Sequence, residues 1–439
     1  MAFIHPLSSE CLKSELDIFS VPMTQTSIDS GCYVEYNPIS SINDGTPIEF
    51  VVSGSGQDYL DLANTQLYVR AQIRKADNTP IDNASQVGPI NLFLQSLFCE
   101  VDVKLNDVLI TSTNNTYAYR AYLETLLSYG SDSKSTQLGA SLYIKDVAGR
   151  MEDADPTAND ANVGLKERRA FFRNGANVEM LGRIHADIFY QQKFLPNEIT
   201  MRIRLVRNKN NFSLMSSTPN ENYKIHINDC KLYIRKVKLT PSVFVAQAKA
   251  LEHGNAKYPI HRVICKTFTV PTGNMDCCQE NLFTGQLPTR LVLGCVDNDA
   301  YNGNYQKNPF NFKHFNLSKL NVYLDGQQQT VRPLEPDFAN NQFIAAYMTL
   351  FSGTGKQFGD IGNDIKRTEY AHGYTLYAFD LTPDLDEDDH FNLLKEGNVR
   401  VDMKFAQALP NTINVIVYAE FENMIEIDRS RNVIFDYSN

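Results

Sequence analysis

Residues able to do chemistry are easy to find in this chain and hard to assemble into a site. Gly353-Thr354-Gly355-Lys356 has the ending of a phosphate-binding loop, in which backbone N–H groups and a lysine cradle phosphates. The first glycine of that motif is replaced by Leu350, and Gln357 stands where a Ser or Thr would meet magnesium. A glycine-rich turn after a helix is the expectation. Asp384-Leu385-Asp386-Glu387-Asp388-Asp389 has the acid density of a calcium loop, but Asp389 replaces the turn glycine and Lys395 the closing glutamate. A solvated acidic turn is expected. The eight histidines, among them His185, His226, His261 and His314, show no H-x-x-x-H spacing, and His226 and His261 fall in strand patterns as structural residues. There is no G-x-S-x-G elbow. Cys277-Cys278 reads as two ordinary thiols in a polar loop. Lys166, Arg168, Arg169 and Arg173, interleaved with Phe171 and Phe172, resemble a nucleic-acid contact, with a solvated loop face as the plainer expectation. We therefore assign no catalytic, cofactor-binding or metal-ligating residue and no cofactor, and expect a non-enzymatic protein.

The elements around these residues repeat. Tyr119, Tyr122, Leu123, Leu126 and Leu127 fall at helical spacing, as do Phe343, Tyr347, Leu350 and Phe351. The first helix, over about 117–129, follows Val103-Lys104-Leu105-Asn106-Asp107; the second follows Val322-Tyr323-Leu324-Asp325-Gly326. Each runs into a glycine, Gly130 or Gly353. One module occurs twice at a domain-sized period, which predicts two similar domains in tandem. Alternating apolar runs surround both copies: Leu67, Val69, Ala71 and Ile73; Cys99, Val101, Val103 and Leu105; Met201, Ile203 and Leu205; Ile413, Val415, Val417, Ala419 and Phe421. A strand is also expected at Ile184–Tyr190. Residues 131–180 read as a long irregular excursion, and 297–313 as a polar loop carrying Tyr301, Tyr305, Phe310 and Phe312.

With about eight strand candidates per half, the fold class is all-β: a double jelly roll of two tandem eight-stranded β-sandwiches, each with one short helix and long inter-strand loops. The expected division is an N-terminal arm over 1–46, a first jelly roll over 47–240, a linker over 241–257 and a second jelly roll with a C-terminal tail over 258–439. The arm is poor in periodic apolar residues and interrupted by Pro6, Pro22 and Pro38; Phe19, Val21 and Met23 are candidate anchors on a neighbour or on the arm's own domain.

The 439 residues suffice for two cores. A formal net charge of −10 argues against a nucleic-acid-coating surface. The eight cysteines are scattered without C-x-x-C pairs, so reduced thiols and an intracellular folding compartment are expected. The start of the chain lacks the apolar region of a signal peptide, and no window has the length of a membrane-spanning helix, so no membrane insertion is expected.

Longer motifs carry a resemblance. Phe19-Ser20-Val21-Pro22-Met23-Thr24-Gln25-Thr26-Ser27-Ile28, then Val34-Glu35-Tyr36, Pro47-Ile48-Glu49-Phe50 and Gly54-Ser55-Gly56-Gln57-Asp58-Tyr59-Leu60-Asp61-Leu62 resemble the opening of the hexon-like major capsid proteins of Polinton/Maverick elements and adintoviruses, with adomaviruses as a further possible source. Gly182-Arg183-Ile184-His185-Ala186-Asp187-Ile188-Phe189 and Ala248-Lys249-Ala250-Leu251 agree; the second half matches mainly in element order. The resemblance implies a structural capsid protein of a double-stranded DNA virus or virus-like element, forming homotrimeric, pseudo-hexagonal capsomers in an icosahedral shell. Implied partners are copies of itself, neighbouring capsomers, and penton and minor capsid proteins, with no specific nucleic acid. The implied location is the virion, after synthesis in the host cytoplasm and assembly in the host nucleus. The loops 131–180 and 297–313 would build outer towers and subunit contacts. Two alternatives stand beside it: a two-domain receptor- or glycan-binding module using the Tyr301–Phe312 aromatics, and a host-domesticated capsid-derived protein.

Overall fold

A computed structural model describes residues 4–54, 56–111, 113–158, 162–218, 222–329, 332–385 and 390–435. The first half has strands β1 (Ile28–Tyr36), β2 (Ile48–Val52), β3 (Tyr59–Arg74), β4 (Phe98–Leu105), β5 (Val108–Thr111), β6 (Val178–Gly182), β7 (Met201–Arg207) and β8 (Lys224–Leu239). Its longer helices are α1 (Tyr117–Ser128) and α2 (Val163–Phe171), beside single turns such as Phe93–Ser96, Ser131–Ser135 and Asn210–Ser213. A connecting helix, α3 (Pro241–His253), leads to β9 (Ala256–Val270), β10 (Asp276–Gln286), β11 (Arg290–Asp297), β12 (Leu317–Leu324), β13 (Gln327–Gln328), helix α4 (Ile344–Ser352), β14 (Leu376–Asp380), β15 (Glu396–Phe405), β16 (Ile413–Ile427) and β17 (Val433–Ile434).

The pairing order is the same twice. The first half has sheets β1-β8-β3-β6 and β2-β7-β4-β5; the second has β9-β16-β11-β14 and β10-β15-β12-β13, with β17 added to β16. All these pairs are antiparallel. Each of these eight first-half strands thus has a counterpart eight strands later, and the double jelly roll follows from the topology itself; the first half also carries a two-stranded ribbon of Val87–Pro89 and Leu214–Ser216 beside its two sheets. Even the turns match. Asn106 and Asp107 (φ 44° and 67°) join β4 to β5, and Asp325 and Gly326 (φ 49° and 77°) join β12 to β13. Two successive left-handed residues suit the twist of a two-residue hairpin, and Asn, Asp and Gly tolerate that conformation best.

The alternating runs face inward as expected: Leu67, Val69, Ala71 and Ile73, and Ile413, Val415, Val417, Ala419 and Phe421, are all buried. Three expectations fail. β1 lies inside the segment expected as an irregular N-terminal arm, paired with β8 from Ile28↔Leu239 to Tyr36↔Leu232. It is an edge strand with no buried residue, so it has no apolar alternation to read. The strand expected at Ile184–Tyr190 sits instead at β6, and Asp187–Phe189 forms a single 3₁₀ turn, because Asp187 is drawn inward to a buried arginine. Cys277 and Cys278 lie on β10, not in a loop; the exposed face of that strand is polar enough to resemble one.

The repeated helices differ in environment. Ten of the twelve α1 residues are buried, whereas α4 buries only Ala346 and Leu350. α1 packs with the second half: Tyr119, Tyr122, Leu123 and Leu126 share a core with Val292, Phe310, Phe312, Val417 and Tyr418. In return Tyr258 and Ile260 of β9 and Ile425 and Ile427 of β16 complete the core of the first half. Gly353, which ends α4, is required by close approach: a Cβ there would lie 2.5 Å from the Ala378 backbone on β14. Neither it nor Gly130 is left-handed, with φ of −74° and −81°.

Candidate functional site

The seam between the two jelly rolls is where polar chemistry concentrates. It is built on α1, whose start follows β5 and whose length then crosses to the second half. Two side chains of α1 stack on the 297–313 segment: Tyr122 on Phe310, with centroids 4.1 Å apart and planes at 2°, and Tyr119 on Tyr301 at 5.7 Å. Phe212 meets Tyr119 and Phe310 edge-on. Phe310 and Phe312 are fully buried. The exposed aromatic cluster that a glycan-binding surface would need is therefore absent from these residues: Phe310 and Phe312 are core because α1 brings its own rings against them, and Tyr301 and Tyr305 are half-buried against Tyr119 and Tyr223.

Around this stack lie three sets of charges. In the first, Arg120 on α1 pairs with Asp187 (2.7 Å) and Glu124 (2.8 Å). Asp187 also accepts from Thr111 Oγ1 at 2.9 Å and, across the seam, from the Val263 N–H of β9 at 3.1 Å. Glu124 meets His185 Nδ1 at 2.6 Å and accepts from Tyr190 OH at 2.8 Å. Burial alone would raise the Glu124 carboxyl, but Arg120 and the bond to His185 outweigh it and hold it at about 2. The second set centres on Asp146. Its carboxylate accepts from Arg168 Nη2 (2.7 Å), Asn162 (2.8 Å) and, from the second half, Asn308 (3.1 Å); its carbonyl accepts from Tyr374 OH at 2.6 Å. Arg168 also donates to the Pro89 carbonyl at 2.9 Å, and Arg169 to those of Asn83 and Ser85.

The third set caps α1. Lys356 donates to the Leu127 and Ser128 carbonyls at 2.7 and 2.6 Å, and Lys134 to that of Leu126 at 2.7 Å and to Asn363. These carbonyls have no partner within the helix, and a cation at a helix C-terminus is favoured by the dipole as well. The lysine of the phosphate-loop lookalike thus caps the sister helix of the one it follows. Burial pushes the Lys134 amine down to about 7.

The basic–aromatic cluster is corrected by this geometry. Arg168 is wholly buried and Arg169 and Phe172 are buried with it; only Lys166, Phe171 and Arg173 remain exposed. Neither a solvated face nor a nucleic-acid surface is what these arginines make. Their buried partners lie far along the chain, which left no local signal. The excursion 131–180 likewise contributes Tyr143, Asp146 and Leu165 to the seam core. Asp384 pairs with His390 at 2.8 Å, and Asp386–Asp389 lie outside the described residues. His314 stacks on Phe338, and burial lowers its imidazole to about 4. A cavity of about 450 Å³ opens at one end of the seam between Arg120, Arg183, His261, Arg290 and Glu420. Among the described residues no group of three His, Cys, Asp or Glu is placed to hold a metal, and no helix is long and apolar enough to cross a membrane. The buried charges Arg120, Glu124, Asp187, Asp146 and Arg168 are each paired, and bonds from Val263, Asn308, Tyr374 and Lys356 cross the seam, so the arrangement is suited to holding two barrels in one fixed relation.

No family model matches the chain. The protein F54H12.2 of Caenorhabditis elegans is 27% identical over 431 residues, covering 95% of this chain and 99% of that one. Among solved structures, the Sputnik virophage provides a chain that aligns with a TM-score of 0.66 at 12% identity, over 98% of this chain and 94% of that one. The fold is the double jelly roll of viral major capsid proteins. PBCV-1 VP54 gives a TM-score of 0.60 at 11% identity, over 96% of this chain and 100% of that one. The mavirus major capsid protein gives 0.54 at 11%, over 99% and 95%. At these identities the likeness is one of double jelly-roll fold.

Proposed function

We propose that this chain is a structural, non-enzymatic major capsid protein of a double-stranded DNA virus or virus-like element of the Polinton/Maverick and adintovirus group. Three copies would form a pseudo-hexagonal capsomer. The observation that carries the reading is the exact repetition of strand order in two jelly rolls fused by one buried seam. Two barrels held rigidly side by side present six barrels per three chains, which is how a trimer fills a near-hexagonal tile. Jelly rolls leave few free strand edges, so such a tile resists uncontrolled edge pairing. The full-length overlap with virophage and PBCV-1 chains supports the same reading.

Under this proposal the first jelly roll begins at β1, α3 is the connector, and the second jelly roll runs from β9 onward. Copies of the chain, neighbouring capsomers, and penton and minor capsid proteins are the partners; the virion is the location, with synthesis in the host cytoplasm and assembly in the host nucleus. The nematode relative favours one variant of the reading, a capsid protein carried in an animal genome, because it matches this chain along its whole length. Light scattering on the purified chain tests the proposal. A species of three times 49.7 kDa, compact and pseudo-hexagonal in negative stain, is expected. A monomer at all concentrations refutes the capsomer.

A further inference from the structure

Two surfaces of this chain are complementary and unmated. One is the segment before β1. Leu16, Ile18, Phe19, Val21 and Met23 are 66, 74, 94, 85 and 101% exposed. Phe19, Val21 and Met23 alternate, so an extended chain presents all three on one side. Glu15 and Asp17 give residues 14–23 two negative charges and no positive one. So much contiguous exposed apolar surface marks a contact.

The other surface is a groove of about 480 Å³ between α3 and the start of β9. Phe194, Leu239, Leu251 and Tyr258 supply apolar walls, Lys193 and Lys257 line it as well, and no acidic residue does. α3 itself is a 13-residue helix without a single buried residue, although it carries Val243, Phe244, Val245 and Leu251. It is held only along one edge, where Val243 and Phe244 pack on Tyr59, Val237 and Leu239. A helix this apolar and this uncovered lacks a partner.

We propose that residues 14–23 of one copy occupy this groove on a second copy of the chain, with Glu15 and Asp17 facing Lys193 and Lys257. This rests on the assembly reading above and names its contact. The root of the segment is fixed: Thr240, at the start of α3, donates through its N–H to the Ser27 carbonyl at 3.0 Å and through its hydroxyl to that of Thr26 at 3.1 Å. From that root residues 4–27 span up to about 80 Å when extended, enough to leave the chain's own surface. In the single chain the segment stands away from the nearby groove with its apolar residues exposed. Two unlike patches that mate between copies make a heterologous contact, which closes into a ring or continues through a lattice.

The test is photo-crosslinking of full-length protein carrying benzoylphenylalanine in place of Phe19, prepared from equal parts of isotopically heavy and light chains unfolded and refolded together. Crosslinked peptides joining the 14–23 segment to residues 239–258, half of them pairing heavy with light, are expected. Crosslinks confined to one isotope, mapped elsewhere, or missing from the associated species overturn the proposal. Light scattering on the same sample separates the two readings: a trimer without this crosslink refutes the docking alone, and a monomer refutes both. Lys193→Glu with Lys257→Glu is expected to lower the crosslink yield roughly fivefold, and Glu15→Lys with Asp17→Lys in the same chain to restore it. Unchanged yield in the charge-reversed chain overturns the assigned register.

Discussion

Replacing Arg120 by Met removes the cation from the centre of the seam while nearly preserving its volume. Asp187 and Glu124 then remain buried and charged. Taking one partner from a buried ion pair costs about 3–5 kcal/mol, because the other is left uncompensated. Here the lower part of that range is expected. Asp187 keeps Thr111 and the Val263 N–H, and Glu124 keeps His185 and Tyr190. The pH dependence gives a second, independent magnitude. Glu124 is held at about 2 against an ordinary 4.5, which at 1.36 kcal/mol per pKa unit corresponds to about 3 kcal/mol. The folded carboxyl titrates below the unfolded one, so this contribution is fully present above about pH 4.5 and fades as the pH falls toward 2. Without Arg120, burial instead disfavours the charged carboxyl, and the contribution disappears. Urea unfolding followed by circular dichroism, at fixed protein concentration, should therefore show the variant about 3 kcal/mol less stable at neutral pH, with the gap narrowing below about pH 4. Adding Glu124→Gln and Asp187→Asn should recover much of the loss, since a neutral buried cluster has no orphaned charge. A gap under about 1 kcal/mol at neutral pH, or one that does not narrow in acid, would show that this cluster does not hold the seam.

Tyr122→Ala empties the space facing Phe310 and should cost about 3–5 kcal/mol; calorimetry should show both jelly rolls melting in one lowered transition, because α1 belongs to the core of the second. Separate transitions for the two halves would refute that coupling. Lys134 should make stability rise between about pH 7 and 10, since its folded amine loses a proton there while the unfolded one keeps it; Lys134→Met should abolish up to about 1.4 kcal/mol per pH unit of that slope in a urea series. Gly353→Ala should lower the melting temperature by forcing α4 off β14, whereas Gly359→Ala, where a Cβ meets nothing, should leave it unchanged.

What could be read from the sequence was set by range. Strands with one face deeper than the other show period-two alternation, so β3 is visible; β16 is buried on both faces from Ile413 to Ala419, and its run shows because Asn414, Tyr418 and Glu420 interleave the aliphatic residues. The repeated module shows that there are two halves. β1 was invisible because neither of its faces is buried. The seam was invisible for a different reason. Arg168 stands beside Lys166, Glu167 and Arg169, a neighbourhood typical of a solvated loop, and only the fold brings it to Asp146 and brings Asp146 to Asn308. The aromatics of 297–313 mislead in the same way: Asn-rich flanks suggest exposure, while Tyr301, Phe310 and Phe312 find partners on α1 and Tyr305 on Tyr223. The spacing at Tyr119, Tyr122 and Leu126 did give the helix, but period alone cannot say that its opposite face is buried too.

That burial separates the two halves structurally. α1 and α4 occupy the same place in the strand order, after the fifth strand of each jelly roll, yet one is sunk in the seam and the other lies on its own sheet. A duplicated fold with identical surroundings would pair its halves symmetrically. By lending α1 to the second core, and taking the ends of β9 and β16 into the first, the chain makes the two barrels unequal and fixes which flank of each stays outside. In the proposed trimer first and second barrels would alternate around the ring, and each would meet the next chain through a flank its own partner does not cover. The buried polar groups specify the pairing further, since a second barrel docked in another register would take the Val263 N–H from Asp187 and Asn308 and Tyr374 from Asp146, at about 1–3 kcal/mol for each buried group left unsatisfied.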